Sequence, residues 1–439
     1  MKGMKFWITN MHTIKLVFLG VILGMIPGMA LAQNSTNSPY TQYGYGNLAD
    51  KAFVSQRGMG GIGYGLRNSQ MINPMNPASF SSVDSMTFMF DFGLMGQVSW
   101  LQDSYGKEQK NNGNLEYIAM QFPVAKRFGV GAGFEPVSYV GYVYMDTTRL
   151  PVDNGLSQDI YSGSGGLSKV YAILSYDLLQ KVSIGVKLSY LFGDVIHNIQ
   201  NTPITVSSSN AYITNKMDTI RAYGFLYDFG LQYHQPVGKF RTLTIGAVYS
   251  PKISFGSKVM KGVIKVDPSS GLPVNSTDTV YRNLGFEMPE SYGLGFTYTR
   301  LGKLTAGADV LYQRWADAKF YDQTNALNNR LKVNAGAEFI PNRTSNNLLN
   351  KWHYRGGLYY TNSYIKINDS KYNEYGIDLG LGIPIQDRRW PDKRSFLNIA
   401  FEYSVVQPAS NASLIKEQYF KLSLSYTFSE LWFFKQRVQ

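Results

Sequence analysis

The sequence predicts an all-β fold, a transmembrane up-and-down antiparallel β-barrel of about fourteen strands with an N-terminal plug segment. Three observations predict it. Alternation of apolar with polar or small residues recurs along most of residues 86–428. No stretch after the N-terminus approaches the roughly 20 consecutive apolar residues of a membrane helix. The composition has 14% aromatic against 16% charged residues, with 32 tyrosines and 43 glycines, more aromatic surface than a soluble globule of this length ordinarily hides.

Residues 1–32 read as a cleaved export signal. Lys2, Lys5 and Lys15 precede the apolar run LVFLGVILGMIPGMA, and Ala30-Leu31-Ala32 offers small residues at the cleavage position. The chain has no cysteine, so neither disulfides nor thiolate metal sites contribute. The net charge of +12 includes the three signal lysines, and export turns the remainder away from nucleic acid toward an anionic membrane surface.

Residues 33–85 form an N-terminal extension unlike a helix or a strand. The stretch GMGGIGYGLRNSQMINPMNPASFSSVDS is rich in glycine and carries two Asn-Pro steps, the composition of shaped, irregular backbone. Such a segment, periplasmic where it enters the first strand, can fold back into a barrel lumen.

Residues 86–428 supply the barrel. In KVSIGVKLSYLFGD, Val182, Ile184, Val186, Leu188, Tyr190 and Phe192 oppose Ser183, Gly185, Lys187 and Ser189; in YGIDLGLGIPI, Tyr375, Ile377, Leu379, Leu381 and Ile383 oppose Gly376, Asp378, Gly380 and Gly382. One face is apolar and the other emptied or polar. The segments centre on residues 86–99, 115–123, 127–144, 168–178, 181–193, 220–234, 241–256, 290–300, 303–315, 329–340, 351–362, 375–385, 394–405 and 418–428. Tight links such as PVAKR, LLQK and RLGK alternate with long polar ones, GDVIHNIQNTPITVSSSNAYITNKMDT among them. Short turns on one side and long loops on the other describe a barrel in a bacterial outer membrane, with the turns periplasmic. Only closure satisfies strand backbone in lipid.

The last strand, YFKLSLSYTF, aligns Phe420, Leu422, Leu424, Tyr426 and Phe428 on one face and resembles the terminal strand by which outer-membrane barrels are recognised for assembly. Residues 429–439 continue as a periplasmic tail. Its Leu431, Trp432, Phe433 and Phe434 read as a frayed end, an inner-leaflet segment or a partner-docking cluster.

Charges on the inward face are Asp91, Asp177, Lys187, Asp228, Asp309, Lys332, Glu338, Arg355, Asp378, Glu402 and Lys421. A basic group facing lipid at the midplane costs about 2–4 kcal/mol, so a lumen network is the economical placement. Lys126 and Arg127, Lys239 and Arg241, Arg300 and Lys303, Arg343 and Lys351, the run QDRRWPDKR, and Lys435 and Arg437 fall at predicted periplasmic turns or the tail. Inner-leaflet lipid is the expected partner there, with a periplasmic or outer-membrane protein as the alternative. His197, His234 and His353 sit in no recognisable nucleophile constellation, which argues against an enzyme. The loop DPSSG lacks calcium-ligand spacing, and GMGGIGYG lacks the strand, helix and Gly-Lys-Ser/Thr of a phosphate loop. No cofactor and no metal is expected.

With those residues in view, the chain resembles the FadL-like family of long-chain fatty acid and hydrophobic-compound transporters. Asn76-Pro77-Ala78 matches that family's hatch signature and follows GMGGIG, a usual companion; EMPESYGLGFTYT, LTAGADVLYQRWADAKF and YRGGLYY resemble its later strands. The resemblance implies a fourteen-stranded barrel whose hatch includes Asn73, Pro74, Asn76, Pro77 and Ala78. It also implies a use for Pro136, next to Glu135 in the third strand. Proline there removes a ladder hydrogen bond, and FadL-like barrels have a kink in that strand which opens a lateral window. The expected function is admission of a hydrophobic, fatty acid-like molecule through the hatch-blocked lumen and the window. The alternative is a non-transport scaffold or shuttle barrel in a multi-protein secretion or assembly complex.

Overall fold

The computed structural model describes residues 35–104, 106–149, 155–204, 212–367, 372–386, 394–408 and 415–431. The predicted signal, most of the basic run after Gln386, and the tail residues Trp432, Phe433 and Phe434 lie outside them.

The wall begins with β1 (Thr87–Gln102), β2 (Lys107–Ala125), β3 (Phe128–Arg149), β4 (Leu156–Leu179), β5 (Val182–Pro203) and β6 (Ile213–Gly238). Two interrupted strands follow. β7 comprises Arg241–Ser250 and Ile253–Val266; β8 comprises Pro273–Arg282, Phe286–Met288 and Ser291–Arg300. β9 (Leu304–Gln313), β10 (Arg330–Phe339), β11 (His353–Asn362), β12 (Tyr372–Gln386), β13 (Arg394–Pro408) and β14 (Lys416–Leu431) complete it. β14 pairs antiparallel with β1 from Lys416↔Gln102 to Leu431↔Thr87, closing a fourteen-strand barrel.

Alternation creates this wall. On β6 the outward row Tyr223, Phe225, Tyr227, Phe229, Leu231 and Tyr233 is exposed, while inward Gln232 is fully buried. β5 behaves alike, with Ile184 to Phe192 outward and Ser183, Lys187 and Ser189 buried inward. An unbroken apolar outer surface of this extent belongs against lipid.

Two links read as loops are largely strand. β5 runs on to Pro203 and β6 starts at Ile213, so His197 lies in a strand, its Nδ1 2.8 Å from the Tyr142 hydroxyl. The outer pieces of β7 and β8 form a second extended hairpin, with Pro273–Arg282 exposed throughout. These stretches stand beyond the apolar band, where water bathes both faces and nothing imposes alternation.

The N-terminal segment lies within the ring, because it bonds to strands all around it. Arg57 pairs with Glu116 on β2, and Arg67 with Asp177 on β4 at 3.0 Å. Asn76 donates to the Leu231 carbonyl of β6 (3.1 Å), Gly63 N–H to Asp309 of β9 (2.6 Å), and Ser38 to Glu417 of β14 (2.7 Å). The segment contains a one-turn helix α1 (Val54–Arg57) and two 3-10 turns, Pro39–Gln42 and Pro77–Ser82. The emptied inward face now has a reason. A Cβ on Gly246 would strike the Tyr64 carbonyl, and one on Gly357 would strike the Gly60 backbone, so glycine in the wall lets irregular backbone lie flat against it. The segment also reaches further than its entry point suggests. Ser38 and Tyr40 touch Glu417 and Ile415 at the loop end of β14, opposite the end where β1 begins.

Candidate functional site

The two asparagines of the Asn-Pro stretch each hold specific backbone. Asn73 Nδ2 donates to the carbonyls of Gly63 (2.7 Å) and Leu66 (3.0 Å), folding the glycine run back on itself. Asn76 Nδ2 donates to Tyr64 O (2.8 Å) and Leu231 O, while its Oδ1 accepts from Ala78 N–H (3.0 Å) and caps the turn that Pro77 starts. Pro74 borders a small void near Lys187, and Ala78 is fully buried.

The charged residues expected in the lumen are inward. Glu135 accepts from Lys187 (2.7 Å) and is 3.0 Å from Lys169; Glu338 pairs with Arg355 (2.7 Å), and Glu402 with Lys421 (2.7 Å). Asp309 receives the N–H groups of Gly63 and Tyr64, Asp91 receives Thr427 at 3.1 Å, and Asp228 receives Ser250. Asp378 sits opposite Glu402 in the β12–β13 ladder. Four members went unread in the sequence: Lys169, Glu116, its partner Arg57, and Asp50, which pairs with Lys332 at 2.9 Å. Lys169 shares inward parity with Asp177, so the alternation of β4 held the signal. Asp50 and Arg57 had none, because no period governs the segment that carries them. Lys51 makes no ion pair among the described residues; burial pushes its pKa down, opposed by the charge of Asp228.

Toward the loop end the lumen changes character. Tyr45 sits among Phe320 (ring centroids 5.1 Å apart), Trp315 (5.7 Å), Phe255 (6.0 Å) and Phe286 (6.2 Å). Val140, Leu191 and Val259 continue this apolar packing.

The wall is broken twice. The β2–β3 ladder stops at Ile118↔Phe134, and a bulge follows at Pro136/Ser138 where β3 meets β4. Above it, β3 turns its free edge to the N-terminal segment: Asn47 pairs with Tyr139, Leu48 with Ser138, and Ala49 N–H bonds to Val137 O at 2.9 Å. The other flank of the segment is tied to β2 through Asn112 and Asn114. The second break lies in β7 and β8, around Pro251 and Pro289.

Two cavities of about 140 and 110 Å³ lie in the lumen, and both border Glu135 and Pro136. A third, of about 340 Å³, opens at the turn end beside Arg67, Lys303 and Arg343.

The sequence profile of the BamG family matches residues 13–439. The chain belongs to the BamG family. No curated protein matches the sequence. Among solved structures, the Pseudomonas putida toluene transporter TodX aligns at 14% identity with a TM-score of 0.58, over 88% of this chain and 100% of that one. A Pseudomonas aeruginosa FadL homologue aligns at 14% identity and 0.58, over 87% and 99%. The Ralstonia pickettii toluene transporter TbuX aligns at 16% and 0.56, over 86% and 98%. At such identities the likeness establishes fold, and the BamG-family chain is an outer-membrane barrel of FadL-like architecture, as the Asn76-Pro77-Ala78 resemblance implied.

Proposed function

We propose that this BamG-family barrel admits small hydrophobic molecules from outside the cell through a lumen in which residues 33–85 act as a hatch, and releases them sideways into the membrane beside Pro136. The observation that carries this reading is an apolar, aromatic cluster at the loop end bordering cavities that reach the Pro136 break. Transporters of toluene with the same fold support it. Replacing proline restores a backbone donor and favours straight pairing. Pro136→Val is therefore expected to leave the barrel heat-resistant on gels and to reduce cellular uptake of hydrophobic compounds, with small polar solutes unaffected. Unchanged hydrophobic uptake would remove this window.

A second reading, a scaffold or shuttle within an outer-membrane complex, rests on a different observation. The lumen cavities are well below the roughly 300–1,000 Å³ of ordinary ligand pockets, whereas the turn end carries the larger cavity, Lys and Arg at every described turn named above, and exposed Val124, Leu179, Phe240 and Leu301. Leu431 ends β14, so the tail follows directly at that end. Native purification with mass spectrometry separates the readings: bound apolar molecules support the conduit, and a co-purifying protein lost on deletion of residues 430–439 supports the scaffold.

A further inference from the structure

The break in β7 and β8 is a discontinuity of the hydrogen-bonded wall itself. Toward the turn end, β6 pairs with β7 from Gly238↔Arg241 to Phe229↔Tyr249; toward the loop end it pairs again from Tyr223↔Gly256 to Ile213↔Val266. Between these ladders, residues 224–228 of β6 lie opposite residues 250–255 of β7, five against six, and no rung joins them. The β7–β8 ladder fails at the same height. It runs up to Ser250↔Ser291 and resumes at Ile253↔Met288, leaving Pro251 and Lys252 opposite Pro289 and Glu290. Pro251 falls opposite Glu290 and Pro289 opposite Lys252, so each strand lacks a backbone donor at adjacent positions and the β7–β8 ladder does not close there.

Among the described residues no backbone pair spans the breach, and side chains bridge it. Ser250 donates to Asp228, Ser254 to Glu287 at 2.9 Å, and Lys252 lies 3.8 Å from Glu287. No backbone of the N-terminal segment pairs here, unlike at β3. The cavity of about 110 Å³ lies directly behind, lined on this side by Leu226, Ile253, Met288 and Trp315. It also touches Tyr227, whose side chain stands in the outward row of β6, so the cavity reaches the wall at the height of the break. Tyr227 belongs to the apolar row from Tyr223 to Tyr233 and lies in its loop-end half. What meets the breach is therefore the lipid of the outer leaflet.

We propose that the barrel wall is open to the bilayer between β6, β7 and β8 at Pro251 and Pro289, and that the cavity behind it exchanges an uncharged, apolar molecule of about one ring with the outer leaflet. The cavity is near the scale of the roughly 150 Å³ apolar cavity that holds benzene. Leu226, Ile253, Met288 and Trp315 offer carbon and an indole beside the Ser250–Asp228 pair, and the lumen charges behind them would reject a longer apolar chain. The exchange extends the conduit reading above, since it adds a second lateral route; the opening itself does not depend on that reading.

The chain has no cysteine, so a single thiol reports without background. Leu226→Cys is placed in the full mature barrel in phospholipid vesicles and exposed to a maleimide tethered to a lipid acyl chain. Thr244→Cys and Ser189→Cys, both buried within intact ladders, serve as references. Thiol labelling follows exposure, so Leu226→Cys is expected to react at least about tenfold faster than either reference, and saturating toluene is expected to slow it. Met288→Cys approaches the breach from the opposite strand and replaces Leu226→Cys if that variant loses its heat-resistant fold. Equal, slow labelling at both breach positions overturns the opening; fast labelling without toluene protection overturns the exchange. Cellular toluene uptake no greater than in a strain lacking the protein would instead sink the conduit reading, with the labelling result unchanged.

Discussion

The breaks at Pro136 and at Pro251/Pro289 are both made by proline and both border the same cavity, yet the first is filled by backbone and the second by a few side chains. At β3 an unpaired strand edge runs upward from Tyr139, and a free edge is a liability wherever another chain can reach it. Asn47 and Leu48 pair with it, and Thr41 receives the Gly141 N–H at 3.1 Å. At β7 and β8 no long edge is exposed, because both ladders resume within a few residues. A short gap needs no substitute strand. Proline in a wall thus has two outcomes, decided by whether pairing recovers beyond it.

The harshest test of this contrast removes the substitute strand. Deleting residues 35–49 is expected to leave a heat-resistant barrel with greatly raised ion conductance in planar bilayers and faster proteolysis of the remaining segment. Unchanged conductance would mean that something else covers the β3 edge. Arg57→Ala should act less severely by unpairing buried Glu116. Removing one partner of a buried ion pair costs about 3–5 kcal/mol, enough to multiply hydrogen exchange of residues 53–61 many-fold while the wall stays protected. Asn76→Ala deletes two bonds to carbonyls and one cap. At about 1–3 kcal/mol for buried groups left unsatisfied, intermittent leakage without loss of fold is expected. Smallest of all should be Ser250→Ala, which loosens one stitch of the second break at a cost of about 1 kcal/mol. It should raise lipid-side labelling of Leu226→Cys by less than tenfold and leave that of Val137→Cys, beside the first break, unchanged. Equal increases at both positions would erase the distinction between the breaks.

Period-two alternation made the wall legible wherever lipid touched one face and lumen the other. It yielded the strand number, the inward carboxylates of β9 to β13 and the turn positions. It failed above the membrane, where Pro273–Arg282 is wetted on both sides and keeps no apolar parity. The N-terminal segment was legible only as composition. Asn73 and Asn76 announce shaped backbone, but nothing in Asp50, Lys51 or Arg57 reveals which wall residues they will meet. Those contacts are set by three-dimensional closure. The second break was half visible: Pro251 interrupts the expected strand 241–256, but Pro289 lies 38 positions later, and their approach depends on the length of the intervening hairpin.

The closing seam between β14 and β1 also constrains the order of events in assembly. The N-terminal segment emerges first in the chain, but Glu417 and Ser423, which hold Ser38 and Arg57, belong to the last strand. Asp309 and Lys332, which hold Gly63 and Asp50, come from the later half as well. A segment docked only against early strands would keep Glu116, Asp177, Gln232 and the Asn47–Ala49 pairing with β3, but lack these later anchors. Final seating of the segment therefore depends on closure of the ring. An assembly intermediate caught with the seam unzipped should carry its first fifty residues only loosely held.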